Sequence, residues 1–253
     1  MNLVESAQRN LAETYFALGK SVPGSRIVET AGFRACLSRQ DHPIGNFALG
    51  LRLDVNVVRS LVGLARRHHR FQVFHTLLDT PTGVVPEMLK RGGFEETSRL
   101  HVMSASGAPY EGDLVSEWAH DEAGREEIAK FMAKQFFSTA STDFRRVISQ
   151  ATTAADSLPL VGFRQRGKLV AAAMIQDTDV IGLYNLCVDH GMRGRGWGEA
   201  VVRRVLGWAH ESGRTVTLQC EPNLVQWYER LGFSNLGRVI VYRLAISSNV
   251  AIM

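Results

Sequence analysis

Apolar residues recur along this chain in two rhythms, and the alternation between them divides it into elements. Leu3, Val4, Ala7, Leu11, Tyr15 and Phe16 fall at helical spacing, as do Val57, Val58, Leu61, Leu64 and Ala65 after Asp54. Between these two helices, "RIVETAGFRACLSR" and "IGNFALGLRL" read as strands, and "FQVFHTLL" is a third strand-like run. "SASGAPYEGD", Ser104 to Asp113, is rich in small residues, glycine and proline, and is expected to be a linker. Beyond it, "REEIAKFMAKQFF" and "DFRRVISQATTAA" predict helices, and "LPLVGFRQ", "KLVAAAMIQ" and "VIGLYNLCV" predict three consecutive strands. The turn "RQRGK" makes the first two of these a hairpin. A glycine-rich loop follows, then a helix burying Val201, Val202, Val205, Trp208 and Ala209, the strand "TVTLQC", a short helix around "LVQWYERLGF" and a last strand "GRVIVYRL".

Composition narrows the class. At 253 residues and 45% hydrophobic the chain is globular, long enough for one large domain or two ordinary ones. Its formal charge of +4 comes from scattered arginines, a balance that suits an anionic small ligand as well as nucleic acid. Cys36, Cys187 and Cys220 lie far apart in apolar settings and predict a reduced, cytoplasmic protein. No stretch reaches the roughly 18 apolar residues of a spanning helix, so no membrane association is expected. No His/Cys cluster has zinc spacing, and no metal is expected.

The stretch "NLCVDHGMRGRGWGEAVVRR" carries the chemistry. A loop that leaves a buried strand and opens a helix presents unpaired N–H groups at the positive end of the helix dipole. Gly194, Gly196 and Gly198, at alternate positions, let that backbone approach a phosphate. Glu199 and Ala200 rule out the Gly-Lys-Ser/Thr ending of a nucleotide-triphosphate loop, and Glu199 also stands where a dinucleotide fingerprint needs its third glycine. Taken alone, the loop also admits the reading of a tight turn without a ligand.

In context, "VDHGMRGRGWGEAVV" resembles the Val-Asp/Pro…Arg/Gln-x-x-Gly-x-Gly/Ala motif of the GCN5-related N-acetyltransferase (GNAT) family, and "WYERLGF" resembles its Tyr-x-x-x-Gly-Phe motif. The two occur in family order over roughly Asp113 to Leu244. The resemblance implies an α/β (α+β) fold: a mixed, mostly antiparallel, twisted sheet with flanking helices, splayed between its fourth and fifth strands, with acetyl-CoA as cosubstrate in the splay. It implies that Arg193, Gly194, Arg195, Gly196, Trp197 and Gly198 hold the CoA pyrophosphate. The Asn185–Val188 segment, including Cys187 and above all Val188, would meet the pantetheine and thioester through its backbone. Asn223 would bond the pantetheine, although its spacing to Tyr228 is shorter than the common form of the motif.

Acetyl transfer to an amine needs a neutral nucleophile, a proton acceptor, a stabiliser for the oxyanion and a proton for the departing thiolate. Tyr228 falls where the family's tyrosine protonates the CoA sulfur; on periodicity alone it is a core aromatic beside Trp227 and Phe233. Glu221 ends the fifth strand at the mouth of the splay, as a base if partly buried or as a solvated loop residue if not. Asn185, the one polar residue of an apolar strand, orients substrate or water, or is a satisfied core amide. Asp189 and His190 either join the site or begin the turn. Arg193 and Arg195 contact phosphates or lie exposed, and Cys187 and Cys220 flank the splay as small buried residues.

Residues 41–104 laid over 180–243 without gaps align Asn46 with Asn185, "RGGF" with "RLGF", Arg99 with Arg238 and Val102 with Val241. "DVNVVR" then lies opposite "RGRGWG", and Leu89 opposite Tyr228. The expectation is a duplicated protein: a degenerate GNAT-like domain over 1–104 and a catalytic domain over 113–246, acetylating a small-molecule or peptide amine. The rival class is a noncatalytic acyl-CoA sensor. Nucleic-acid binding through "RSLVGLARRHHRF" has no aromatic platform behind it. The acceptor, the base and the oligomeric state are open at this point, a homo-oligomer included.

Overall fold

The computed structural model describes residues 2–78 and 84–245. Helix α1 (Leu3–Lys20) begins in a capping box formed by Asn2 and Glu5. A hairpin of β1 (Arg26–Glu29) and β2 (Arg34–Leu37) leads through a 3-10 turn to β3 (Phe47–Leu49), α2 (Val55–Arg67), β4 (Gln72–Leu78), α3 (Val84–Arg91) and β5 (Phe94–Ser106). After a connection come β6 (Glu117–Trp118), α4 (Glu122–Phe136), α5 (Thr142–Ala154), β7 (Leu160–Gln165), β8 (Lys168–Asp177), β9 (Ile181–Val188), α6 (Trp197–Glu211), β10 (Thr215–Cys220), α7 (Val225–Glu229) and β11 (Ser234–Leu244). The order β3-α2-β4-α3-β5 thus recurs as β9-α6-β10-α7-β11.

The strands form a single sheet in the order β1-β2-β3-β4-β11-β5-β10-β9-β8-β7-β6. Among the described residues only β3–β4 and β9–β10 pair in parallel. This is the mixed, mostly antiparallel sheet with flanking helices that the resemblance implies. The order also contains an exchange. β5, from the first half, pairs with β10 of the second, while β11, from the second half, lies between β4 and β5 of the first.

Alternation of side chains across the strands splits the core into layers. Ala171, Ala173 and Ile175 of β8 face α6 and α7, in one cluster with Val201, Val205 and Tyr228. Ala172 and Met174 face α4 together with Ile128, Met132 and Tyr184. The first half builds its layers together with β11, with Leu61, Leu89 and Ile240 on one face and Leu11, Phe16, Phe47 and Val239 on the other.

A buried amide of helix α1 bonds the second half. Asn10 is fully buried; its Nδ2 donates to the carbonyls of Gln176 (2.9 Å) and Val180 (3.2 Å), and its Oδ1 accepts from the Tyr184 hydroxyl at 2.7 Å. Gly182 makes room for it, since a Cβ there would lie 2.1 Å from the Asn10 Oδ1. Asn10→Ala leaves a buried hydroxyl and two carbonyls without this partner, so a loss of about 2–4 kcal/mol is expected. Thermal unfolding should show it as a drop of about 5–15 °C; an unchanged melting temperature would contradict this role.

The expected linker differs from what is observed. Ser104, Ala105 and Ser106 belong to β5, paired with Thr217, Val216 and Thr215. From Gly107 the chain lies along α6 as a strap: Ala108 N–H donates to the Leu206 carbonyl at 3.1 Å, and the Arg204 guanidinium sits over the Tyr110 ring. Gly207 has no side chain because a Cβ would lie 2.6 Å from that of Tyr110.

Candidate active site

β9 and β10 pair through Ile181–Val216, Gly182–Thr217 and Leu183–Leu218, and their ladder ends there. β9 continues to Val188 on β8, and β10 to Cys220 on β5, so the sheet opens between them. The opening coincides with a bulge. The β8–β9 register shifts between Ala172 and Met174, and Asn185 takes the left-handed conformation, with φ 49°. Asparagine tolerates that region better than other residues with a side chain, which gives a physical reason for one polar residue in an apolar strand. Asn185 is exposed at the opening. Its counterpart Asn46 is buried and committed: Oδ1 accepts from Ser38 N–H, and Nδ2 donates to the carbonyls of Gln40 and His42. The satisfied core amide is therefore Asn46.

The turn leaving β9 is built by its own side chains. Asp189 accepts from Gly191 N–H at 2.9 Å, and the buried Gln135 of α4 bonds both Asp189 and His190. Asp189 and His190 thus begin the turn. Gly194 (φ 74°) and Gly196 (φ 81°) then take left-handed conformations, and a Cβ on either would meet nothing within 4 Å. The backbone requires glycine here, and the space beside it is open. Gly196 caps α6 without any side-chain bond, which leaves the N–H groups of the first turn to an external anion. In the first half the chain caps its own helix: the Asp54 carboxylate accepts from Val57 N–H at 2.8 Å.

Around this cradle Arg193 is exposed and its Nε donates to the Val188 carbonyl at 3.3 Å, tying the loop to the strand end. Arg195 is exposed; with Trp197 and Arg203 it lines a cavity of ≈ 600 Å³ under the strap. Gly198 faces Val188 and Trp227 at ordinary contact distances for an added Cβ.

Tyr228 is buried, edge-on to Trp227 (4.7 Å) and Phe233 (5.5 Å), in the same cluster as Cys220. Burial pushes its phenol pKa well up, and Cys220 adds to the shift, so it holds its proton at neutral pH. Glu221 is exposed beyond β10, not partly buried at the mouth of the opening. Asn223 is exposed in the 3-10 turn that follows. Cys187 and Cys220 lie in different core clusters, and burial pushes their thiols up to about 12 and about 11, so both are protonated packing residues.

On the face away from α6, a cavity of ≈ 380 Å³ reaches the opening at Leu183, Tyr184, Asn185 and Gln219. Its walls come from both halves, with Tyr15 and Leu18 of α1 opposite Met132 and Phe136 of α4. In the sequence Tyr15 stands out only as part of the apolar face of α1, and Leu18, Met132 and Phe136 do not stand out at all. They come from separate elements and share no local pattern, although Asn10, a polar residue on the apolar stripe of α1, is a legible sign that something packs there. Among the described residues no group of three or more His, Cys, Asp or Glu is placed to hold a metal ion, and no helix is long and apolar enough to cross a membrane.

Residues 119–243 match the family model described as an acetyltransferase (GNAT) domain. Among solved structures, a GCN5-related N-acetyltransferase from Kribbella flavida is 16% identical with a TM-score of 0.65, over 94% of each chain. A tandem GNAT protein from the clavulanic acid biosynthesis pathway is 15% identical with a TM-score of 0.57, over 87% of this chain and 83% of the other. A GNAT-family acetyltransferase from Colwellia psychrerythraea is 12% identical with a TM-score of 0.53, over 94% and 97%. At these identities the likeness establishes the fold. No curated protein matches in sequence.

Proposed function

Residues 119–243 make this chain a member of the GNAT acetyltransferase family, and we propose that it transfers an acetyl group from acetyl-CoA to a primary amine at one site per chain. The observation that carries this reading is the uncapped N-terminus of α6 beside the opened β9–β10 ladder. When bound, acetyl-CoA supplies an activated acyl carbon and a thiolate leaving group. The N–H groups from Gly194 to Gly198 would hold its pyrophosphate, helped by the dipole of α6. Past Leu183, the edge of β9 that faces β10 has no ladder partner. With the Val188 carbonyl held by Arg193, the N–H of Val188 is the group on this edge suited to meet the charge that develops on the thioester oxygen, and the rest of the edge is open to the pantetheine.

Tyr228, protonated at neutral pH, is suited to deliver its proton to the departing sulfur. Asn185 is suited to orient the amine through its side-chain amide, which the left-handed bend presents at the opening. The acceptor would enter from the ≈ 380 Å³ cavity on the other face. The first half would act as a worn duplicate, 1–104, that binds no CoA and forms part of the cavity wall of the catalytic unit, 113–246.

Acetyl-CoA should raise the melting temperature of the protein. Gly198→Asp is the sharper test of the loop, because Gly198 lacks the left-handed backbone of Gly194 and Gly196. A carboxylate in the first turn favours the helix itself, so the unliganded melting temperature should hold while the acetyl-CoA shift disappears. A folded variant that retains the shift would remove the loop from the site.

A further inference from the structure

The cavity that meets the β9–β10 opening carries no charge. Among its described lining residues there is no Asp, Glu, Lys or Arg. Its three titratable groups are neutral at neutral pH: burial pushes His42 down to about 4, Tyr15 up to about 12 and Tyr184 higher still. The walls are aromatic and aliphatic, with Tyr15, Phe74, Leu100, Met132, Phe136 and Ile148 contributed by five elements. The polar groups at the opening are the amides of Asn185 and Gln219.

We propose that the acceptor is a small monoamine with an uncharged apolar body, aromatic or branched aliphatic, whose amino group reaches the opening between Asn185 and Gln219. The proposal rests on the acetyltransferase function above and names its substrate class. An amine must lose its charge to attack, and a site without carboxylates favours the neutral form by desolvation. A second ammonium on the same molecule has no such release. Placed among Phe74, Met132 and Ile148 it would be a desolvated cation with no carboxylate among the described lining residues to pair with it. Polyamines and aminoglycosides, which carry several ammonium groups, are therefore poor fits. At ≈ 380 Å³ the cavity lies in the range of small-molecule sites, roughly 300–1,000 Å³.

The test uses the full chain, acetyl-CoA and release of free CoA, with 2-phenylethylamine and isoamylamine set against spermidine and kanamycin. The expected result is kcat/KM for the monoamines at least roughly tenfold above that of the polycations. Ala133→Phe adds a ring at a buried lining position. It should lower kcat/KM for 2-phenylethylamine by roughly tenfold or more, with the acetyl-CoA melting shift retained. Ser98→Asp, at an exposed lining position, keeps the test open should the first variant fold poorly; it should raise spermidine turnover relative to the monoamines. Preference for spermidine or kanamycin in the unaltered protein, or monoamine kinetics indifferent to both substitutions, would overturn the assignment. Thermal stabilisation by 2-phenylethylamine alone separates the two layers of the argument. Stabilisation that Ala133→Phe removes, in a protein acetyl-CoA fails to stabilise, would retain the cavity and sink the acetyltransferase reading. An acetyl-CoA shift with no monoamine shift and no monoamine turnover would do the reverse.

Discussion

A fragment beginning at Pro109 is expected not to fold. Although the family motifs all lie beyond that point, the sheet that carries them does not close without the first half. β10 would lose β5, its antiparallel neighbour from Thr215 to Cys220, and β11 would lose β4 and β5, both of its neighbours. Two strands with open edges would then border the site, a configuration that favours aggregation over a defined fold. Circular dichroism and thermal melting of residues 109–253 should show no cooperative transition, and co-expression with residues 1–108 should restore one. A fragment that melts cooperatively and is stabilised by acetyl-CoA would show that the exchange of β5 and β11 is dispensable.

Tyr228→Phe should lower turnover by about 10²- to 10⁴-fold, the usual range for a positioned general acid, with acetyl-CoA affinity nearly constant. The substitution removes only a hydroxyl from a ring held by Trp227 and Phe233, so packing should survive. That separates the enzyme from an acyl-CoA sensor, in which Tyr228 is packing alone. Turnover unchanged under conditions where chemistry limits the rate would return Tyr228 to the core.

The parts of the fold legible in the sequence are those whose signals are local. An apolar run ending in Val188, three alternate glycines and an amphipathic helix specify β9, the loop and α6, because each signal acts over a few residues. Asn185 stood out for its polarity; the left-handed bend that explains it is a property of one residue. The exchange of β5 and β11 was not legible, since the outer part of β5, "EETSR", is polar and exposed, and its partners are set by pairing across more than 100 positions. For the same reason Ser104–Ser106 read as linker. Glu221 depended on burial, which β10 does not supply past Cys220. The cavity lining, drawn from Thr14 to Val241, is assembled by tertiary packing, and apart from Asn185 no local stretch marks it.

The expectation that the first half binds no CoA rests on Asp54. Its carboxylate caps the N-terminus of α2, where α6 has no side-chain cap, and it stands opposite Arg193 in the repeat. Calorimetric titration of the whole chain with acetyl-CoA therefore tests the central claim most directly. One acetyl-CoA should bind per chain, with binding abolished by Gly198→Asp. A stoichiometry of two, or binding that survives that substitution in a folded protein, would contradict it.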